Sequence, residues 1–147
     1  MKSSFYLAVT SALFLLAVSC EKEPVKIHKQ SLFNSQFKST MNENIALEDE
    51  ESRILVTVKN ISDKRCTLHI GCSEPGEATV RIEVSNINNS KAESMLYIGN
   101  QNGEIKETDS VAVLLDNRRY VIHLHSVNPH PSLSSTEMQT AELSVNY

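Results

Sequence analysis

The chain has 147 residues, of which 40% are hydrophobic and 22% charged, and this length and balance fit one folded domain rather than two. Its 4 glycines, 4 prolines and 3 cysteines exclude collagen-like, linker-like and disulfide-dense chains. A formal net charge of −4, 5% aromatic residues and no Trp provide neither a basic surface nor many stacking side chains, so nucleic acid is not expected as a partner.

The N-terminus is predicted to be an export leader, because its apolar run is too short and too one-sidedly flanked for a durable membrane-spanning helix. The run ends in Ala17, Val18 and Ser19, directly before Cys20. This arrangement resembles the lipobox of bacterial lipoproteins. The resemblance implies that residues 1–19 are a signal peptide and that Cys20 carries acyl chains that anchor the protein to a membrane. An ordinary signal peptide with a coincidental cysteine is the alternative.

Residues 20–31 are predicted to be the lipidated cysteine and a charged tether. The segment Glu21-Lys22-Glu23 looks like the tethers of surface lipoproteins in Bacteroidota. The residue after Cys20 is Glu21 rather than the aspartate that resembles an inner-membrane retention signal. We therefore expect the outer membrane of a Gram-negative bacterium, with the protein at the cell surface, and a single domain over 32–147.

Apolar and polar residues alternate along most of this domain, which predicts half-buried β-strands. The predicted strands are a short piece at 33–37, then 54–59, 66–70, 78–85, 94–98, 111–115, 120–127 and 140–145. The acidic stretch 41–52 is predicted to be a loop or a single helical turn. We expect an all-β fold of about seven to eight strands, a small antiparallel β-barrel of the OB-like or up-and-down kind, with an immunoglobulin-like β-sandwich as the alternative.

Two cysteines, Cys66 and Cys72, remain once Cys20 is assigned to lipid. An even pair in an oxidising compartment is expected to form a disulfide, which requires the chain to turn near Gly71 because six extended steps would hold the sulfur atoms too far apart. The sequence therefore predicts a Cys66–Cys72 disulfide.

A transition-metal site is the alternative use of these residues. His69 lies midway between the two cysteines, and His123 and His125 are two positions apart, so that on a strand they share a face. Thiolates oxidise readily outside the cell, and a solvent-facing strand often carries such histidines. We therefore favour the disulfide and expect no metal and no cofactor.

No catalytic residues and no enzymatic activity are expected. The sequence has no nucleophile in a glycine-bounded elbow, no His-Glu-x-x-His helix and no phosphate-binding glycine loop. Loops on a rigid β-scaffold are then the candidate partner-binding elements. The candidate residues are Gly71, Ser73, Glu74, Pro75 and Gly76 in one loop, and Pro129, His130, Pro131 and Leu133 in another.

A lipobox, a charged tether and about a hundred residues of short strands together resemble the potempins, small outer-membrane lipoproteins of an oral Bacteroidota species. The resemblance implies a β-barrel that binds and inhibits a secreted peptidase, and it rests on no motif inside the domain, so no inhibitory residue is carried over. Two rivals remain. One is a structural or adhesive surface lipoprotein with an immunoglobulin-like module, and the other is a periplasmic metal-binding lipoprotein using His69, His123 and His125.

Replacing Cys20 with Ala is expected to release the protein from the membrane, because the acyl chains would lose their attachment point. Phase separation of a detergent extract measures this as a shift from the detergent phase to the aqueous phase. A variant that still partitions with the detergent would show that the lipobox interpretation is wrong.

Overall fold

The computed structural model of the protein describes residues 29–66, 76–131 and 136–147. The predicted signal peptide at 1–19 and the predicted lipidation site Cys20 therefore lie outside the described residues. Every regular element in the described ranges is a β-strand. The strands are β1 Lys29–Ser31, β2 Phe37–Thr40, β3 Asn44–Glu48, β4 Arg53–Asp63, β5 Glu77–Asn86, β6 Lys91–Gln101, β7 Glu104–Lys106, β8 Asp109–Leu115, β9 Arg118–Asn128 and β10 Thr140–Asn146. In these ranges no helix is long and apolar enough to cross a membrane.

The strands form two sheets that pack face to face. The larger sheet has six strands in the order β1-β3-β4-β5-β6-β7, and the smaller has four in the order β2-β10-β9-β8. All pairings are antiparallel except that of β1 with β3, which is parallel. The prediction of an all-β fold is confirmed. The sheets are not closed into a barrel, so the β-sandwich alternative describes the architecture.

The apolar core lies between the two sheets. Alternate residues of each strand point inward, which is why the period-two pattern predicted β4, β5 and β9 correctly. The larger sheet contributes Ile45, Leu47, Ile54, Val56, Val58, Ala78, Val80, Ile82, Val84, Leu96 and Ile98, and the smaller sheet Phe37, Val113, Leu115, Tyr120, Ile122, Leu124, Val127, Ala141, Leu143 and Val145. Both sheets therefore depend on a single layer of buried side chains.

The prediction of a loop or helical turn at 41–52 is wrong, because this stretch contains β3. Ile45, Ala46 and Leu47 are fully buried there, and β3 pairs with both β1 and β4. The last three residues of the expected tether, Lys29–Ser31, form an edge strand that pairs with β3. With β7 in addition, the described residues hold ten strands rather than seven or eight.

Left-handed residues make the tight turns. Asn102 and Gly103 have φ values of 54° and 88° in the turn between β6 and β7, and Asp116 and Asn117 have 47° and 65° between β8 and β9. Two consecutive residues with positive φ form the type I′ turn that matches the twist of a hairpin, and Asn, Asp and Gly tolerate it best.

The end of the sandwich that carries the turns 49–52, 87–90 and 116–117 and the C-terminus is called the turn end. The hydroxyl of Tyr147 donates a hydrogen bond to the carboxylate of Asp49. The other oxygen of that carboxylate accepts bonds from the backbone N–H groups of Glu51 and Ser52 at 3.0 and 2.8 Å. Arg118 lies 4.5 Å from the centre of the Tyr147 ring. The last residue is thus fastened to the β3–β4 turn.

This hydrogen bond changes the ionisation of both of its partners. It lowers the pKa of Asp49 from its ordinary 3.8, because it stabilises the carboxylate. It raises the pKa of Tyr147 from its ordinary 10.0, because loss of the proton would leave two anions in contact. The contact therefore stabilises the fold only where Asp49 is ionised and Tyr147 is protonated.

Replacing Tyr147 with Phe is expected to lower the melting temperature most at neutral pH. The contribution of Asp49 is present above its unfolded pKa of 3.8 and is lost as the pH falls through its lowered folded pKa. The contribution of Tyr147 is present below its unfolded pKa of 10.0 and is lost as the pH rises through its raised folded pKa. Thermal unfolding of both proteins at about pH 3, 7 and 11 tests this. A difference that stays constant with pH would contradict it.

Candidate functional site

The opposite end of the sandwich carries the connections 41–43, 64–76 and 129–139 and is called the loop end. Strands β4, β9 and β2 run toward this end, and β5 and β10 start from it. Both loops singled out from the sequence therefore emerge here. The sheets fix the backbone where each loop joins a strand, and a scaffold that presents recognition loops requires this.

Arg65 joins the bases of the two loops. The guanidinium of Arg65 donates to both carboxylate oxygens of Asp63 at 2.9 and 2.6 Å, and its Nη2 also donates to the carbonyl oxygen of Val127 at 2.6 Å. The side chain of Asp63 is 0% exposed and that of Arg65 is 16% exposed. A planar fork that donates to several acceptors at once is the geometry that Arg provides and Lys does not. Arg65 thereby fastens the end of β4, on one sheet, to the end of β9, on the other.

The 64–76 connection is closed by a tight backbone contact. Lys64 N donates to Glu77 O at 2.9 Å, and Asn100 N donates to Gly76 O at 3.1 Å. A Cβ added at Gly76 would lie 2.2 Å from the carbonyl oxygen of Lys64, and one at Gly99 would lie 2.6 Å from Gly76 O. Gly76 therefore has a steric role, since only glycine permits this approach of the two ends of the loop.

Most of the first predicted loop lies outside the described residues. This applies to Gly71, Cys72, Ser73, Glu74 and Pro75. Cys66 is the last described residue before the gap, and it is not a free thiol. Because Cys72 is not described, the Cys66–Cys72 disulfide stays a prediction.

The second predicted loop is described over its first half. It begins with a cis peptide bond between Asn128 and Pro129. Pro129 and His130 are half-buried and Pro131 is exposed, whereas Leu133 lies outside the described residues. The loop is held at its base by the bond from Thr140 Oγ1 to Asn128 O at 3.3 Å.

A half-open apolar pocket lies beside these loop bases, and the sequence analysis missed it. Thr40, Met41, Ile61, Met138 and Gln139 line it, and its volume is about 240 Å³. These residues come from β2 and the turn after it, from β4, and from the segment before β10. The sign of this pocket in the sequence is a methionine in each of two otherwise polar connecting segments. The sequence does not reveal that these two segments lie close together.

His123 and His125 lie on the outer face of the smaller sheet, as predicted from their spacing. Their rings are stacked with centroids 6.3 Å apart. His125 Nε2 is 2.9 Å from Ser144 Oγ, and His123 Nε2 is 3.4 Å from Asn146 Nδ2. Among the described residues, no group of three or more His, Cys, Asp or Glu side chains is arranged to hold a metal ion. His69 lies outside them, so the metal alternative stays untested.

Comparison with known proteins gives no further identification. No protein-family model matches the chain, and neither a curated protein nor a solved structure shows significant similarity to it. The candidate site must therefore be judged on its own geometry.

Replacing Arg65 with Met is expected to destabilise the protein by about 3–5 kcal/mol, because it leaves the buried Asp63 carboxylate without its partner. The midpoint of urea unfolding measures this loss. The double replacement of Asp63 with Leu and Arg65 with Met should cost much less, since no buried charge is then left unpaired.

Arg81 provides the matched control, since it is exposed on the outer face of β5. Replacing Arg81 with Met should change stability by no more than about 0.5 kcal/mol. Equal losses of stability in the Arg65 and Arg81 variants would show that the contacts of Arg65 contribute no more to stability than an exposed arginine does.

Proposed function

We propose that the protein is a lipid-anchored outer-membrane protein that binds and inhibits a secreted peptidase with its loop end. The observation that carries the proposal is the common base of the two candidate loops. The connections 64–76 and 129–139 start from the same end of a rigid sandwich, and Arg65 joins their bases through Asp63 and Val127. A partner that bound both loops would therefore contact two segments whose bases are fixed relative to each other.

A rigid base favours tight binding. A loop that is already ordered loses less conformational freedom on binding, at about 0.5–1.5 kcal/mol for each side chain that would otherwise have to be immobilised. The predicted Cys66–Cys72 disulfide and Pro75 would restrict the first loop in the same way, and Pro129 and Pro131 restrict the second. A peptidase that bound such a loop in its cleft would hold the loop in one conformation. Cleavage requires the bound segment to move, and the restricted loop would not make that movement.

The proposal needs no chemistry from this protein. The protein would act by occupying the peptidase, which fits a sequence without a recognisable catalytic motif. A lipid anchor at Cys20 would concentrate the inhibitor at the membrane, where it would shield neighbouring envelope proteins.

A structural or adhesive surface lipoprotein is the second candidate, and the β-sandwich architecture favours it. Sandwich domains commonly serve as rigid spacers or adhesive modules on cell surfaces. That role requires a stable scaffold but no particular surface at the loop end. The two candidates therefore differ in whether substitutions in the loops change a measurable activity.

Residues 21–147, produced without the leader, are to be incubated with a panel of secreted metallo-, serine and cysteine peptidases. We expect a stoichiometric complex and inhibition of at least one of them. Replacing Pro75 or Pro131 with Gly should weaken inhibition by about 2- to 12-fold, which is the ordering cost of about 0.5–1.5 kcal/mol for one freed residue.

The control is the replacement of Asn117 with Gly at the turn end, where φ is 65° and glycine is tolerated. This variant should inhibit like the wild type. If no peptidase is inhibited, the structural or adhesive function is favoured instead. If inhibition is found but neither loop substitution weakens it, the assignment to these loops is wrong.

A further inference from the structure

The pocket beside the loop bases, lined by Thr40, Met41, Ile61, Met138 and Gln139, is called the methionine pocket. Met41 directly follows β2 and Met138 lies just before β10, so the two methionines are far apart in the sequence. They meet because β2 and β10 are paired, with Thr40 opposite Thr140. This pairing brings Met41 close to Met138 and Gln139, which form the end of the 129–139 connection.

The lining of the pocket suits an apolar side chain. Met41 is 55% exposed and Met138 is 76% exposed, so the two methionines present apolar surface to solvent without a partner in the described structure. None of the described residues that line the pocket is charged. Methionine is unbranched and polarisable, and it adapts to occupants of different shape.

The size of the pocket limits its occupant to about one side chain. Its volume is about 240 Å³, whereas a cavity of about 150 Å³ is large enough for benzene. A leucine, methionine or phenylalanine side chain fits, and a folded element does not.

A carboxylate lies at the rim of the pocket. Glu43 follows Met41 by two residues, and its Oε2 accepts bonds from Thr40 N at 2.9 Å and Thr40 Oγ1 at 3.3 Å, which holds it at the rim. Like charges repel, so a fatty acid or an anionic lipid is disfavoured, and a basic or neutral peptide is favoured.

We propose that the methionine pocket takes one leucine- to phenylalanine-sized side chain from an extended, basic or neutral segment of the protein partner. This inference rests on the proposed function and names the chemistry of the partner that the loop end recognises. The apolar side chain fills the space between Met41, Ile61 and Met138, while a basic neighbour in the segment faces Glu43.

The chain carries its own reporters for a direct test. Residues 21–147 contain three methionines, Met41, Met95 and Met138. Met95 is 54% exposed, nearly the same as Met41, but it lies on β6 and does not line the pocket. NMR spectra of ¹³C-labelled methionine methyl groups therefore show the pocket and a matched control in one sample.

The probe is the peptide acetyl-Lys-Leu-Lys-amide, titrated to about 10 mM, because burial of a single side chain corresponds to weak affinity. We expect saturable shifts of the Met41 and Met138 methyl signals and none for Met95. Replacing the leucine of the probe by glycine should weaken binding about tenfold or more, and replacing its lysines by glutamates should weaken it several-fold. Replacing Met41 alone with Gln should abolish the shift of the Met138 signal, while an unchanged Met95 signal shows that the variant is folded.

Three results would overturn the proposal. The first is that the pocket methyl groups do not shift, and the second is that all three methionines shift alike. The third is that octanoate shifts Met41 and Met138 whereas the leucine peptide does not, since the occupant would then be an acyl chain. The titration uses no peptidase, so the failure of the proposed function in the peptidase panel and the failure of this inference are separate outcomes.

Discussion

The layer of apolar side chains shared by the two sheets is the constraint on which the rest of the structure depends. Neither sheet is closed, so each has one inner face that must be covered by the other. Side chains from chain-distant strands such as β2 and β5 meet in this layer. The position of every connection at the two ends of the sandwich follows from it, including the common origin of the two candidate loops.

The ion pair of Asp63 and Arg65 adds a second constraint at the loop end. Buried ion pairs contribute little net stability compared with apolar residues, but removing one partner is strongly destabilising. The structurally important contact is the additional hydrogen bond that Arg65 donates to the carbonyl oxygen of Val127. Apolar packing is non-directional, whereas this bond fixes the distance between the last residues of two strands on different sheets.

The alternation of apolar and polar residues predicted most strands and the all-β class, because each strand has one buried face. It missed β3, where Ile45, Ala46 and Leu47 are buried in succession and the acidic residues that follow dominate the composition. It also could not decide between a barrel and a sandwich, because closure depends on which distant strands pair. The same limit concealed the methionine pocket, since Met41 and Met138 are brought together only by the pairing of β2 with β10.

The parts of the two ends that the structure describes offer a partner different surfaces. At the turn end, Asp49 accepts bonds from Tyr147 and two backbone N–H groups, and Asp116 accepts bonds from Asn86 and Asn88 at 2.7 and 3.0 Å. A partner docking there would have to displace these bonds and leave polar groups unsatisfied, which is costly. At the loop end the methionine pocket offers apolar surface from which water is released at no such cost. The methionine pocket is therefore a place at the loop end where docking of an apolar side chain would break no such hydrogen bond.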